Sequence, residues 1–425
     1  MSLLVIESDV KINSNLSYAL VKNPQTQYDS GKPFKKSTKM QNIYGWFPTV
    51  KTGVHLDTNP NTFLVLGKKI IDKKSDNFEY LDYSGYSSPE YYLQLFNEML
   101  RTALREHLPE TDKESVKITF NLTDNITLKN NILADIQVLE EGFLGNKVVV
   151  SGATLHEAVN KAALYTYIQY MYSSEFYFED VQYTKYLTLA VKYLKEDYNT
   201  LKRFVLACKA LEKFTNICKP LLDTTDFVFN FGNNGYQRNL FILNNLAKNP
   251  TSENLYDLGC GEGSYFKPMS SVYTTVYGIE KDLDVYTDAT HTVRKKELLN
   301  VQLFNKTIVE FLQESILDEP VDVLCTEVLE HMAYPDSVET LQYILNINQL
   351  KSCLITLPNK DFNRVYGLKD NETRHTDHYW EPTQEEAIGF IKSNIDLNKF
   401  SITEYFIGDS FKGIYSTLGF IIKAK

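Results

Sequence analysis

The sequence lacks the features of a membrane protein, a disulfide-rich secreted protein or a protein that wraps long nucleic acid. No apolar run in its 425 residues reaches the roughly 18 to 20 needed to span a bilayer. The start, MSLLVIESDVKIN, has no basic region followed by a long apolar one, so it predicts a first strand rather than a signal peptide. Cysteine is scarce, and its five residues are scattered without paired spacing, which fits reduced thiols in the cytoplasm.

Basic residues are also fewer than acidic ones, with 44 lysines and arginines against 54 aspartates and glutamates. The net charge of −10 argues against binding long DNA or RNA by neutralising phosphates. It leaves open a protein that grips one strand end with a local basic patch. We therefore expect neither a membrane nor DNA as a partner.

The chain is long enough for two domains, each with its own core. Residues 1–218 alternate β-like runs such as LLVIES and NKVVVSG with a helix that begins after Ser88, and they end in helical stretches, which predicts an α+β module. Residues 219–234 contain a proline and NFGNNG and are predicted as a linker. Residues 235–425 alternate strand and helix, which predicts a Rossmann-like α/β domain with helices on both faces of a mostly parallel sheet.

A glycine-rich loop gives the strongest single motif. In NLYDLGCGEGSYF an apolar strand ends in an aspartate, three glycines follow at alternate positions, and the next strand ends in Glu280. This resembles the first motif of class I methyltransferases. The resemblance implies a loop that holds the methionine part of S-adenosylmethionine, with Glu280 on the ribose and the turn after the third strand near the adenine. The predicted cofactor-binding residues are Asp257, Gly259, Gly261, Gly263, Glu280, Thr307 and Ile308.

A cluster of acidic residues and histidine follows the fourth strand. VDVLCTEVLEHM places Glu327, Glu330 and His331 at spacings of three and four, which share one face of a helical turn. Two carboxylates and an imidazole suit Mg²⁺ or Mn²⁺ better than zinc. The loop after the fifth strand lies beside this one in a parallel sheet, and it contains His375 and His378, either of which would complete the site.

Together, ExxEH, PNxxFN and RHxDHxxE resemble the small-RNA 3′-terminal ribose 2′-O-methyltransferases. The resemblance implies a catalytic metal held by Glu327, Glu330, His331 and His378. The predicted substrate-binding residues of the same loop are Asn359, Asn363, Arg364 and Arg374. Glu381 also matches the family, whereas Trp380, Pro382 and Leu357 depart from its usual residues.

The resemblance implies a reaction and a partner. The reaction is metal-dependent transfer of a methyl group from S-adenosylmethionine to the 2′-OH of an RNA 3′ end, in RNA repair or 3′-end protection. More diffuse similarity around LSYALVKNP, YLDYSGYSSPEYYL and KAALYTYIQYMYSSEFYFED extends to bacterial members. In those proteins the N-terminal half assists an RNA ligase, a polynucleotide kinase-phosphatase of RNA repair.

Two other functions remain open from the sequence. A metal-independent small-molecule O-methyltransferase would use EVLEH only to shape its pocket, but it gives no reason for the RHTDH segment. A non-catalytic adaptor that activates a ligase would not need an intact cofactor loop.

Overall fold

The structure is a computed structural model, and it divides into two compact units, Met1–Leu221 and Leu222–Lys425. It describes residues 2–9, 33–52, 55–59, 61–70, 87–101, 103–104, 115–123, 134–139, 145–173, 183–194, 197–209, 216, 218–230, 232–314 and 319–425. The predicted strand FEYLDY and the segment LSYALVKNP lie outside these residues. None of the described helices combines the length and apolarity that crossing a bilayer requires.

The first unit is built on an antiparallel seven-stranded sheet of order β2-β3-β6-β1-β7-β9-β8. Its strands are β1 (Ser2–Ser8), β2 (Phe34–Ser37), β3 (Gln41–Trp46), β6 (Thr62–Lys69), β7 (Val116–Leu122), β8 (Ile136–Leu139) and β9 (Asn146–Gly152). A separate ribbon pairs β4 (Thr49–Thr52) with β5 (His55–Thr58). Alternate residues of the strands are buried, as Leu4 and Ile6 are in β1, so one face of the sheet packs against a core.

The helices of the first unit begin where the sequence gives start signals. The helix expected after Ser88 is α1, with Pro89 at its first position, where a proline costs no hydrogen bond. Thr154 caps α2 by accepting a hydrogen bond from the Glu157 backbone N–H. The helices are α1 (Pro89–Met99), α2 (Leu155–Tyr172), α3 (Tyr183–Leu194) and α4 (Tyr198–Lys209), and the short helix α5 (Lys219–Leu222) includes the last residues of this unit and the first of the next. This α+β composition confirms the predicted class of the unit.

The second unit is built on an eight-stranded mixed sheet of order β10-β16-β17-β15-β14-β11-β12-β13. Neighbouring strands from β15 to β13 are parallel, whereas β17, β16 and β10 run antiparallel at the other edge. The strands are β10 (Phe227–Val228), β11 (Asn254–Leu258), β12 (Thr275–Ile279), β13 (Val301–Phe304), β14 (Val321–Thr326), β15 (Leu350–Pro358), β16 (Phe400–Phe411) and β17 (Ile414–Ala424). This is the predicted class I methyltransferase fold, completed by an antiparallel edge.

Helices cover both faces of this sheet. Val323 and Leu324, neighbours in β14, enter two different hydrophobic clusters, one on each face. The helices are α6 (Asn234–Ile242), α7 (Phe266–Ser270), α8 (Leu283–Lys295), α9 (Ile308–Glu314), α10 (Tyr334–Leu345) and α11 (Gln384–Ser393). A π-helical turn, Leu243–Ala247, extends α6, and 3₁₀ turns span Leu329–His331 and Lys360–Tyr366.

The segment 219–234, predicted as a linker, is more ordered than a linker need be. It contains the short helix α5 and the strand β10, whose Phe227 pairs with Phe411 in β16. Asn233 then caps α6 by accepting a hydrogen bond from the Tyr236 backbone N–H.

Candidate active site

The glycine loop after β11 presents open backbone where a ligand would bind. Gly259 and Gly261 have positive φ, a conformation that favours glycine. A Cβ at Gly259 would lie 2.6 Å from Val328 Cγ2, so this glycine permits close packing against the loop after β14. A Cβ at Gly261 would meet nothing within 4 Å. The loop therefore offers an unobstructed cradle at Gly261, as a cofactor site requires.

Asp257, at the end of β11, is buried and both of its carboxylate oxygens are without a hydrogen-bond partner among the described residues. Burial, and then the nearby charge of Glu280, raise the pKa of Asp257 to about 7. A buried carboxylate in this state is poised to accept a hydrogen bond from a cationic ligand group. The amino group of S-adenosylmethionine is such a group.

Glu280 directly follows β12 and links the glycine loop to the next turn through hydrogen bonds. Its carboxylate accepts hydrogen bonds from the backbone N–H groups of Gly261, at 3.1 Å, and Asp282, at 2.9 Å. Thr307 is exposed and shares a reciprocal capping arrangement with Glu310 at the start of α9, and Ile308 is buried. The structure therefore brings Asp257, the glycines and Glu280 together, while the contact of Thr307 and Ile308 with adenine stays a prediction.

Three of the four predicted metal ligands form a tight cluster. Ligand atoms of Glu330, His331 and His378 all lie within 4.8 Å of one another. Glu330 is fully buried, and neither of its carboxylate oxygens has a hydrogen-bond partner among the described residues. Burial, and then the charge of Glu327, raise the pKa of Glu330 well above its ordinary value. Burial, and then the neighbouring His378, lower the pKa of His331, which favours the neutral imidazole that binds metals.

Glu327, the fourth predicted ligand, is placed outside this cluster. Its carboxylate forms an ion pair with Arg238, with Arg238 Nη1 2.9 Å from Glu327 Oε2, and accepts a hydrogen bond from Thr356 Oγ1 at 3.0 Å. Its backbone φ of 51° is in the left-handed region, which is uncommon for a residue with a Cβ. The sequence did not predict Arg238, because nothing local links it to a residue 89 positions further along the chain.

Each histidine of the cluster has one ring nitrogen already engaged. His378 Nδ1 lies 2.5 Å from Glu381 Oε1, and both side chains are almost fully buried. His331 Nδ1 lies 3.1 Å from Asp377 Oδ2, which is exposed. A carboxylate that holds one nitrogen of a histidine fixes its tautomer and leaves Nε2 for a metal. His375 is exposed, and its ring packs edge-on against His378 without joining the cluster.

Glu381 is the centre of a buried hydrogen-bond network. Besides His378, it accepts hydrogen bonds from the backbone N–H of Arg374, at 2.8 Å, and from Asn363 Nδ2, at 2.5 Å. These hydrogen bonds outweigh the effect of burial and lower the pKa of Glu381 below its ordinary value. The residue therefore stays ionised next to His378, as an orienting carboxylate must.

Three of the predicted substrate-binding residues belong to this network or border it. The Arg374 guanidinium donates to Asn363 Oδ1, to the Ser416 carbonyl and to the Asn359 carbonyl. Asn359 is fully buried and caps the 3₁₀ turn that follows it. These hydrogen bonds hold the loop together and tie it to β17, and direct contact of Asn359, Asn363 and Arg374 with RNA stays a prediction. Arg364 is exposed, and its contact with RNA stays a prediction.

Comparisons with known proteins found a family match in each of the two units. Residues 4–198 match the Hen1 N-terminal domain, and residues 256–347 match the methyltransferase domain. A small RNA 2′-O-methyltransferase of Caenorhabditis elegans is 27% identical over 178 residues, which cover 37% of this chain and 40% of the relative. One of Arabidopsis thaliana is 29% identical over 173 residues, or 35% of this chain and 18% of the relative. The chain thus matches less than half the length of these relatives.

Solved structures show the same fold. A chain from the structure of a Pnkp1/Rnl/Hen1 RNA repair complex gives a TM-score of 0.76 at 21% identity, over 99% of this chain and 100% of that one. A second structure of a Pnkp1/Rnl/Hen1 complex gives a TM-score of 0.80 at 21% identity, with full coverage of both chains. The domain matches over residues 4–198 and 256–347 confirm the family resemblance drawn from the sequence, and the methyltransferase domain supports S-adenosylmethionine as the cofactor.

Proposed function

We propose that this chain, which joins a Hen1 N-terminal domain to a methyltransferase domain, transfers a methyl group from S-adenosylmethionine to the 2′-oxygen of the 3′-terminal ribose of RNA, with the help of a bound Mg²⁺ or Mn²⁺. The observation that carries the proposal is the Glu330 carboxylate. It is fully buried without a hydrogen-bond partner in the described part of the chain. One of its oxygens lies within 4.8 Å of a ring nitrogen of each of two histidines, His331 and His378.

A cation is the group that this cluster fits. A buried carboxylate is costly unless it is neutralised by a proton, an ion pair or a metal. One carboxylate and two imidazoles within reach of a common centre supply mixed oxygen and nitrogen donors, and a second carboxylate would make the set more favourable to Mn²⁺ and Mg²⁺, which prefer oxygen ligands. The engaged Nδ1 atoms of His331 and His378 leave both Nε2 atoms for such an ion. Glu327, three residues before Glu330, would complete the ligand set if its side chain turned from Arg238.

Different residues of the site would bind the cofactor, bind the metal and orient a metal ligand. Asp257, Glu280 and the open backbone at Gly261 would bind and orient the cofactor, and Val328 connects this loop to the ligand cluster. A divalent cation at the cluster would lower the pKa of a ribose hydroxyl and fix a terminal 2′,3′-diol. Glu381 holds His378 in one tautomer, so the histidine stays a ligand. Orientation of the hydroxyl towards the methyl group then supplies much of the acceleration.

A set of RNA ends tests this proposal. We expect methyl transfer to a short RNA with a free 2′,3′-diol, and a loss of at least about 100-fold with a 3′-deoxy or 3′-phosphate end, because positioning of the diol is removed. Transfer to a 2′-deoxy end should be absent. Excess EDTA should abolish the reaction, and Mn²⁺ or Mg²⁺ should restore it.

Two results would exclude the proposal. Full activity in excess EDTA would show that the cluster holds no catalytic metal. Transfer to phenolic or carboxylate acceptors without any RNA would favour the small-molecule O-methyltransferase that the sequence left open.

The N-terminal unit supports a second proposal, that the chain assists a bacterial RNA ligase that is also a polynucleotide kinase-phosphatase. The support is the match of residues 4–198 to the Hen1 N-terminal domain, together with the fold likeness to chains from complexes with Pnkp1 and Rnl. The full chain carrying Glu330→Gln should still co-elute with such a ligase and stimulate ligation, because the substitution lies in the other unit. Unchanged ligation with no complex at micromolar concentrations would contradict this role.

A further inference from the structure

The ion pair between Glu327 and Arg238 is the feature that the proposed metal site leaves unexplained. Glu327 immediately precedes Val328, which packs against the cofactor loop, and it lies three residues before the buried ligand Glu330. Its carboxylate is engaged by the Arg238 guanidinium at 2.9 Å. Glu327 therefore cannot serve as a metal ligand and keep this ion pair in full.

Arg238 stands between the ligand cluster and the cofactor loop. It belongs to α6, and its guanidinium lies near the Tyr265 hydroxyl, two residues after the last glycine of the loop. The Tyr265 hydroxyl also donates to Asn239 Oδ1, at 2.7 Å, which fixes α6 against the loop. Arg238 Nε is buried and has no hydrogen-bond partner among the described residues. The guanidinium therefore has a donor that its contacts in the described residues do not use.

We infer that Arg238 couples cofactor binding to metal binding by exchanging the Glu327 carboxylate for the carboxylate at the amino-acid end of the cofactor. The inference rests on the proposed function. The Arg238 side chain is only 24% exposed, so loss of its anionic partner costs free energy. Glu327 therefore moves to the metal at lower cost when another carboxylate takes its place beside Arg238. Of the cofactor's parts, the amino-acid end alone carries a carboxylate, and it is the part that the glycine loop is expected to hold.

Coupling of this kind is reciprocal. If the metal raises the affinity for a cofactor that carries the carboxylate, that cofactor raises the affinity for the metal by the same factor. A single exchanged ion pair leads us to expect a factor of about ten, within the range usual for coupled sites. A ligand that lacks the carboxylate should show no coupling.

Calorimetric titration of the full chain tests the inference without any catalysis. S-adenosylhomocysteine should bind about ten times more tightly in saturating Mn²⁺ than in EDTA, whereas 5′-methylthioadenosine, which lacks the amino-acid end, should bind equally in both. Arg238→Gln should remove the metal dependence and reduce S-adenosylhomocysteine affinity towards that of 5′-methylthioadenosine. Arg294→Gln, which changes an exposed arginine in the last turn of α8, should behave as the wild type.

The outcomes separate this inference from the proposed function. Tight binding of both S-adenosylhomocysteine and Mn²⁺ with no coupling would overturn the inference and leave the metal site standing. An equal gain with 5′-methylthioadenosine would also overturn it, because the carboxylate would then play no part. Failure of the wild type to bind Mn²⁺ at all would remove the metal site and the inference together. The wild-type comparison of the two ligands remains decisive even if Arg238→Gln does not fold.

Discussion

Replacing Glu330 by glutamine should abolish metal-dependent methyl transfer, with a loss of at least about 100-fold, while the chain still binds S-adenosylhomocysteine. Glu330 is the most buried member of the cluster. Neither of its carboxylate oxygens has a hydrogen-bond partner among the described residues, so both can bind a metal. Glutamine keeps the shape but removes the charge that neutralises a divalent cation. Charge stabilisation by a metal is worth several kcal/mol, which corresponds to a loss of this size. Rate measurements across a range of Mn²⁺ concentrations would check it.

Thermal unfolding gives this substitution a second readout. Because the pKa of Glu330 is raised in the folded chain, its ionisation is less favourable there than in the unfolded chain, and stability falls as the pH rises above the unfolded pKa. The metal-free glutamine variant should therefore melt at a higher temperature than the metal-free wild type near neutral pH. Mn²⁺ should raise the melting temperature of the wild type alone. Glu339→Gln, at an exposed position in α10, is the matched control and should change neither activity nor metal response. An active Glu330→Gln variant would contradict the role assigned to this carboxylate.

Glu381→Gln should lower metal affinity by about 10- to 100-fold, the usual effect of losing an orienting partner of a ligand. The Glu381 carboxylate accepts from His378, from Asn363 and from the Arg374 backbone at once. An amide places a donor where an acceptor is needed, so one of these hydrogen bonds is lost. His378 is then free to change its tautomer or its orientation.

The position of Glu381 in the network makes its effect distinguishable from that of Glu330. Since Glu381 acts through His378 and not on the substrate, high Mn²⁺ should restore most of the activity of Glu381→Gln, and it should not restore that of Glu330→Gln. Electron paramagnetic resonance of Mn²⁺ gives the affinity directly, with Glu339→Gln again as the control. If Glu381→Gln bound Mn²⁺ as the wild type does, yet were inactive, an orienting role would be refuted.

The sequence was most informative where function depends on a local pattern. The glycine loop, the acidic ends of β11 and β12 and the ExxEH turn are contiguous motifs, and the parallel sheet brings the loops after β14 and β15 to one edge. His378 could therefore be assigned to the same cluster as Glu330 although 48 positions separate them. The final β-rich stretch, FSITEYFIG and YSTLGFIIKA, also follows from the sequence, but the antiparallel direction of these strands does not. The short strand Phe34–Ser37 was not predicted, since its apolar alternation is weak.

The partners of charged side chains could not be predicted in this way. The motif predicts that Arg374 and Asn363 contact RNA, but it does not reveal their hydrogen bonds to each other, to Glu381 and to the Ser416 carbonyl. The same holds for Glu327, whose ion pair with Arg238 joins two elements far apart in the sequence. A short motif shows which side chains share a region, but which donor meets which acceptor is decided by packing of the whole unit.

The location of Mn²⁺ in crystals grown with S-adenosylhomocysteine tests the central claim most directly, because Mn²⁺ is identified by its anomalous scattering. We predict one ion bound to the Glu330 carboxylate and to Nε2 of His331 and His378, with Glu327 turned from Arg238 to join them. An ion absent from this cluster at saturating Mn²⁺, or a Glu330 carboxylate that remains without a metal, would contradict the account.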